Sequence, residues 1–149
     1  MNISHNNKNI TIETNQVNQT NWYIIDAKNK TLGRLSTKIA YILKGKNNAT
    51  YLPYNEGNSN IIVINSKHIK ITGNKRKQKV YKRHSGKPGG LKIETFEKVQ
   101  KKKPNKIIEH AVRGMLPKNS LGRKVFKKLK VYPNNQHPHK SQKPLFFNI

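Results

Sequence analysis

The stretch Arg83-His-Ser-Gly-Lys-Pro-Gly-Gly90 places three glycines, a lysine, an arginine and a serine within eight residues. These residue types suit a phosphate, because glycines let the main chain approach closely and cations neutralise the charge. A nucleotide substrate would make the chain an enzyme; a nucleic-acid backbone would make it a binding protein. A Walker A loop needs a glycine, four residues, then Gly-Lys-Ser/Thr, so that successive amides wrap the β-phosphate. Here Pro88 follows Gly86-Lys87, and Tyr81 stands where the first glycine belongs. Proline also removes an amide donor that the cradle requires. Nucleotide hydrolysis is therefore not expected. The loop is read as laying backbone amides, Arg83 and Lys87 along a nucleic-acid backbone, with a solvated loop that packs on nothing as the alternative.

Other candidate chemistry is sparse. Asp26 is the only aspartate. It follows a short apolar run, where open α/β sheets often place ligands. A lone carboxylate lacks a partner for acid/base work, so Asp26 is read as capping the turn at 27–31. His137 and His139 flank Pro138, but only the distant His84 or His110 could complete a metal site. The pair is read as stacking on or hydrogen bonding to RNA, with a plain surface tail as the alternative. Tyr81, Tyr132, His84 and Trp22 could stack on bases, although Trp22 and Tyr81 stand at strand positions and are read as core. The absence of cysteine excludes disulfides, thiolate catalysis and cysteine-based zinc sites. No serine or threonine has a convincing histidine and carboxylate near it in sequence, and six acids leave catalysis little to use. No enzyme activity, cofactor, metal or small-molecule substrate is expected.

The elements that position these residues follow from apolar spacing. Residues 1–20 are polar and asparagine-rich, without periodicity, and are read as a mobile tail. "WYIID" at 22–26 and "IIVIN" at 61–65 are short apolar runs, as expected of buried strands. Between them Leu32, Leu35, Ile39, Ile42 and Leu43 recur at helical spacing. Thr31 is the expected N-cap and Gly45 the expected stop. Arg34, Lys38 and Lys44 fall on the opposite side. Strand, helix and strand suggest a right-handed crossover and a parallel sheet.

A third strand is expected around Val80-Tyr81. Ile93, Phe96 and Val99 suggest a second helix, with Glu94 and Glu97 near its start and Lys101 to Lys103 at its end. Pro104 opens a third, with apolar Ile107, Ile108, Ala111, Val112 and Met115, and Pro117 ends it. Leu121, Val125 and Leu129 mark a last helix, and "LKVY" at 129–132 a closing strand. The proline-broken segment 133–149 is read as an extended tail.

Charge narrows the function. The chain has 149 residues, which suits a single domain, here taken as 21–132. It carries 31 Lys+Arg against 6 Asp+Glu, a formal net charge of +25. Residues 66–90 alone hold nine Lys/Arg and no acid. Such an excess opposes compaction unless a polyanion neutralises it. No lipid signal, secretory or transit-like leader, or apolar run of membrane-spanning length is evident. Nucleic acid is therefore the expected partner, without a membrane. The richness in Asn, Lys and Ile hints at an AT-rich genome, such as an organellar one.

Three segments carry a resemblance: "WYIIDAKNKTLGRLSTKIAYILKGK" at 22–46, "IIVINSKHIKITGNKRKQKVYKRHSGKPGG" at 61–90, and "HAVRGMLPKNSLGRKVFKKLKVY" at 110–132. Together with "HPH" in the tail, they resemble the large-subunit ribosomal protein thirteen family, in its bacterial and organellar form. The ordered motifs span about residues 21–149, and Val112-Arg-Gly-Met-Leu-Pro117 followed by Leu121-Gly-Arg123 is the most diagnostic.

The resemblance implies a three-layer α/β/α fold with a four-stranded parallel sheet. It implies direct binding to large-subunit ribosomal RNA, neighbouring ribosomal proteins as partners, an early role in subunit assembly, and no catalysis. The implied RNA contacts are Lys75, Arg76, Lys77 and Lys79; Lys82, Arg83, His84, Ser85 and Lys87; Arg113 and Lys118; and Arg123, Lys124, Lys127 and Lys128. Arg34, Lys38, Lys44 and Lys46 near the first helix, and His137 and His139, complete the candidate set. The implied location is a ribosome, of a plastid or other AT-rich organelle, or alternatively of a bacterial cytoplasm. The chain is not expected to form a homo-oligomer.

Asn119-Ser120 departs from the Gly-Pro usual in that family. Asparagine tolerates positive φ and serine can cap a helix, so the turn is expected to survive. Pro133-Asn134 departs from the glycine that usually follows the last strand. The rival reading from composition alone is a basic, chromatin-like DNA-binding protein. It would need a recognition helix with base-reading side chains, whereas the cations here spread over many elements.

Overall fold

The computed structural model describes residues 20–49 and 51–148; apart from Thr20, the expected tail at 1–20 lies outside the described residues. Strand β1 (Asn21–Asp26) leads into helix α1 (Leu32–Leu43) and strand β2 (Ser59–Ile64). A single turn, α2 (Lys75–Gln78), precedes strands β3 (Val80–His84) and β4 (Leu91–Thr95). Helices α3 (Phe96–Lys102), α4 (Asn105–Met115) and α5 (Ser120–Lys127) follow, then strands β5 (Leu129–Val131) and β6 (Leu145–Phe146).

The main sheet has the order β5-β2-β1-β6, and every pair is parallel. With its helices it forms the mixed α/β, three-layer α/β/α fold expected. β1 pairs β2 along its length, from Asn21 opposite Ser59 to Asp26 opposite Ile64. Ile61, Ile62, Val63 and Ile64 are all buried, so both faces of β2 are covered. Parallel strands enclosed by layers on both faces read as continuous apolar runs for this reason.

Helix α1 buries all five of its expected apolar residues and leaves Arg34 and Lys38 exposed. Its start differs from expectation. Thr31 occupies the N-cap position but makes no side-chain cap hydrogen bond. The Leu32 amide instead donates to the Lys70 carbonyl at 3.0 Å, and the Lys70 amide to the Lys30 carbonyl at 2.9 Å. This short parallel pairing satisfies one of the four free amides of the helix's first turn, though not the N2 or N3 amide that a cap side chain takes. At the other end Gly45, with φ +75°, donates to the Ile42 carbonyl at 2.8 Å, the left-handed stop that glycine tolerates best. Asp26 holds the turn after β1 as expected: its Oδ1 accepts from the Lys28 amide at 2.8 Å and from Asn65 Nδ2 at 2.9 Å.

Several expectations are corrected. The Val80-Tyr81 strand exists, but it pairs antiparallel with β4 in a separate two-stranded sheet. The fourth strand of the main sheet is β6, drawn from the C-terminal segment and paired to β1. Ile93 belongs to β4 and is 53 % exposed, not helical. A three-residue spacing through Ile93, Phe96 and Val99 also fits a strand that turns directly into a helix. Only Phe96 and Val99 are helical and buried, and Glu94 is a strand residue.

Along α4, Ile107, Ile108 and Val112 are buried, Ala111 is half-buried and Met115 is exposed. Leu129 has passed into β5. Asn119, at φ −103°, caps α5 by accepting the Gly122 amide at 2.8 Å; Ser120 is the first helical residue, and no positive φ is needed. Trp22 and Tyr81 are half-buried at the margin rather than in the core.

Candidate nucleic-acid interface

Alternation along the β3–β4 hairpin sorts its side chains. Tyr81 opposes Glu94 and Arg83 opposes Lys92, so these four share one face. Val80, Lys82, His84, Leu91 and Ile93 occupy the other. The Tyr81 ring lies 5.3 Å from His110 of α4 and 6.5 Å from Phe96 of α3. Lys79 sits 5.5 Å over the Tyr81 ring. Burial pushes the Tyr81 phenol above its ordinary pKa.

The glycine-rich loop closes on itself. The Ser85 amide donates to the Gly90 carbonyl at 3.3 Å, Gly90 to Lys87 at 2.9 Å, and Gly86 to Nδ1 of His84 at 2.9 Å. Three amides expected to face a phosphate are therefore used inside the loop. What the loop offers outward is cationic side chains, since Lys82, Arg83 and Lys87 are all exposed.

The hairpin, α4 and α5 enclose a groove of about 680 Å³ lined by Tyr81, Lys82, Arg83, Lys92, Glu94, Val99, Lys106, Glu109, His110, Arg113 and Phe126. A second recess of about 670 Å³ shares His110, Arg113 and Phe126 and adds Lys118, Arg123 and Lys127. The Arg113 guanidinium lies 5.8 Å from the Phe126 ring centre between them. Lys82, Arg83, Arg113, Lys118, Arg123 and Lys127 thus line these two recesses from β3, α4, α5 and the loop between the two helices. Sequence reasoning missed Lys92, Lys106, His110 and Phe126. Only the strand alternation of Lys92 with Arg83's partner position could have pointed to any of them.

Other expected contacts stand apart. Arg34 and Lys38 line a shallow pocket with Asn29 and Thr37 on α1. Lys44 lines a small pocket with Tyr51, and Lys46 sits 5.9 Å over that ring. On α2, Lys75 and Lys77 are exposed, while Arg76 reaches Glu97 at 4.0 Å. Lys124 and Lys128 turn to Glu56, at 3.3 and 3.2 Å, and Lys128 also donates to the Gly57 carbonyl at 2.8 Å. His137 and His139 belong to an internal aromatic cluster. His139 lies 5.3 Å from Trp22 and shares a 2.8 Å hydrogen bond with the Tyr132 hydroxyl; His137 lies 6.5 Å from Tyr132. These contacts fasten the segment after β5 to β1.

The hydrogen bond from Lys128 holds the Glu56 carboxyl below its ordinary pKa; partial burial opposes this, and Lys124 reinforces it. A depressed folded pKa gives stability that is present above the unfolded value and lost as pH falls through the folded one. For a carboxyl this exposed, the contribution is about 0.2–1 kcal/mol. Glu56→Gln should therefore lose less stability than the unmodified chain on acidification from neutral pH to below the usual glutamate range. Urea midpoints at the two pH values measure this; equal losses would contradict it.

Among the described residues, no group of three His, Cys, Asp or Glu could hold a metal ion, and no helix is long and apolar enough to cross a membrane. Of the six acids, Asp26 caps a turn, while Glu56 and Glu97 sit in ion pairs. An α/β scaffold that displays cations from a hairpin and two helices has the electrostatic footprint of the polyanion-binding class. Residues 20–138 match the family model "Ribosomal protein L13". The chain belongs to the ribosomal protein L13 family. It is 57 % identical over 128 residues to "Large ribosomal subunit protein uL13c" of Porphyra purpurea, covering 86 % of this chain and 90 % of that one. It is 59 % identical over 123 residues to uL13 of Microcystis aeruginosa, covering 83 % and 82 %. With uL13 of Prochlorococcus marinus subsp. pastoris it shares 52 % identity over 142 residues, 95 % of this chain and 99 % of that one.

Proposed function

We propose that the chain is a structural, non-catalytic component of the large ribosomal subunit that binds large-subunit ribosomal RNA and lies beside other ribosomal proteins. The observation that carries this is that exposed cations of β3, α4 and α5, which form no ion pair among the described residues, line two adjoining recesses that share Arg113, in a family member. Folded RNA presents phosphates from several directions, and cations on several rigid elements can meet them. The relatives include a chloroplast-type uL13c and bacterial uL13 proteins, which supports a ribosome of a plastid or of a bacterial cytoplasm. The RNA contacts are assigned chiefly to Lys82, Arg83, Lys87, Arg113, Lys118, Arg123 and Lys127, with Lys75, Lys77 and Lys79 beside them. Arg34, Lys38 and Lys46 offer a separate contact on α1's side. Lys124, Lys128, His137 and His139 serve the fold first, given their internal partners.

Filter binding tests the reading. The chain should prefer a large-subunit RNA transcript to duplex DNA of equal length, and Lys87→Ala should weaken that binding several-fold. Neither protein should hydrolyse ATP. Nucleotide hydrolysis lost in Lys87→Ala would restore the enzyme reading, and equal affinity for duplex DNA would favour the chromatin-like one.

A further inference from the structure

We propose that the groove between the β3–β4 hairpin and helices α4 and α5 receives unpaired RNA bases, stacked against its aromatic wall and held at their amino groups by Glu94 and Glu109. This rests on the RNA-binding reading and adds a division within it: duplex phosphates meet the outer cations, whereas extruded or single-stranded bases enter the groove.

Two independent observations point there. The first is shape and lining. A face that only tracks phosphates can be flat, but this one has a recess of about 680 Å³, within the roughly 300–1,000 Å³ of sites for small ligands. Tyr81 and His110 form one tilted aromatic pair, with ring centres 5.3 Å apart. Phe126 with the Arg113 guanidinium, 5.8 Å from its centre, forms a second platform. Unpaired bases stack on aromatic rings and on arginine planes.

The second is the placement of acid. The chain has only 6 Asp+Glu, and two of them, Glu94 and Glu109, line this groove. Neither takes part in any of the ion pairs among the described residues. Carboxylates repel phosphate, so they are misplaced in a surface that serves the backbone alone. They accept hydrogen bonds from the amino groups of cytosine, adenine and guanine, and uracil has no amino group. In an A-form duplex the base faces are stacked, and the adenine and cytosine amino groups lie in a deep, narrow major groove that side chains cannot read. Arg83, Lys92 and Lys106 at the same groove can neutralise the flanking phosphates. The adjoining recess, rimmed by Lys118, Arg123 and Lys127, continues the path for the next nucleotide.

The test uses the full chain with fluorescein-labelled oligoadenylate and oligouridylate of equal length and a blunt-ended RNA duplex, read by anisotropy. Phe126→Leu should weaken oligoadenylate binding roughly tenfold and duplex binding far less. Tyr81→Leu should act in the same direction, and Tyr81→Phe should retain binding. The surface variant Glu94→Gln/Glu109→Gln separates stacking from charge. Removing two negative charges should tighten duplex binding, yet narrow the preference for oligoadenylate over oligouridylate to what stacking alone gives. If that variant tightens all three RNAs alike, or Phe126→Leu weakens duplex and oligoadenylate equally, the groove proposal is overturned while RNA binding stands. If the unmodified chain binds none of the three, the RNA reading itself fails.

Discussion

Affinity for large-subunit RNA is expected to fall by about 10³–10⁵-fold as salt rises from roughly 50 to 200 mM, if some six to ten phosphates are contacted. The expectation rests on which cations are unencumbered. Lys82, Arg83, Lys87, Lys118, Arg123 and Lys127 are exposed and take part in none of the ion pairs among the described residues. Each phosphate contact releases condensed counterions, so log K declines by about 0.7–0.9 per contact for each log unit of salt. Arg83→Met should reduce that slope by about one contact. Lys128→Met should leave the slope unchanged, because its ammonium is engaged with Glu56 and the Gly57 carbonyl. A nearly flat salt dependence would remove the electrostatic basis of binding.

The scaffold carries the second large effect. Ile39→Ala should destabilise the fold by about 2–5 kcal/mol, through lost burial and the cavity left behind. Ile39 is 0 % exposed and sits in the core cluster with Leu35, Ile61 and Val112. Lys38, one residue earlier, is exposed on the outer side of α1. Lys38→Ala should therefore fall within about 0.5 kcal/mol of the unmodified chain. Denaturant titration orders the two variants. A larger loss for Lys38→Ala would mean that α1 presents its other face to the sheet.

How much could be read beforehand depended on whether a feature is local. The five buried residues of α1 recur within a single helix, and the apolar runs of β1 and β2 are continuous because both faces of a parallel sheet are covered. Asp26 lies two residues from the amide it accepts, so its capping role is legible from the chain alone. β6 left no such trace: it is two residues long, and Leu145 and Phe146 are 64 % and 62 % exposed. Its existence follows from pairing with a strand more than a hundred residues earlier in the chain. Ile93 satisfied helical spacing while belonging to a strand.

The cations were the least separable. Lys124 and Lys127 look alike in sequence, yet Lys124 turns to Glu56 while Lys127 lines the second recess. His110 comes to lie beside Tyr81, and Phe126 across the same groove, only once the chain folds. The glycine-rich loop suggested amide donors, and the fold uses three of those amides to close the loop.

Sedimentation of assembled subunits addresses the central claim most directly. The tagged chain is expressed in plastid-type or bacterial cells, and its distribution is followed through a sucrose gradient alongside a variant carrying Arg83→Glu, Lys87→Glu and Arg113→Glu. All three positions are exposed, so the variant should melt like the unmodified chain. The unmodified chain should travel with the large subunit, and the folded variant should be strongly depleted from it. An unmodified chain that stays at the top of the gradient, or a charge-reversed variant that enters large subunits equally well, would contradict a ribosomal role resting on this cationic face.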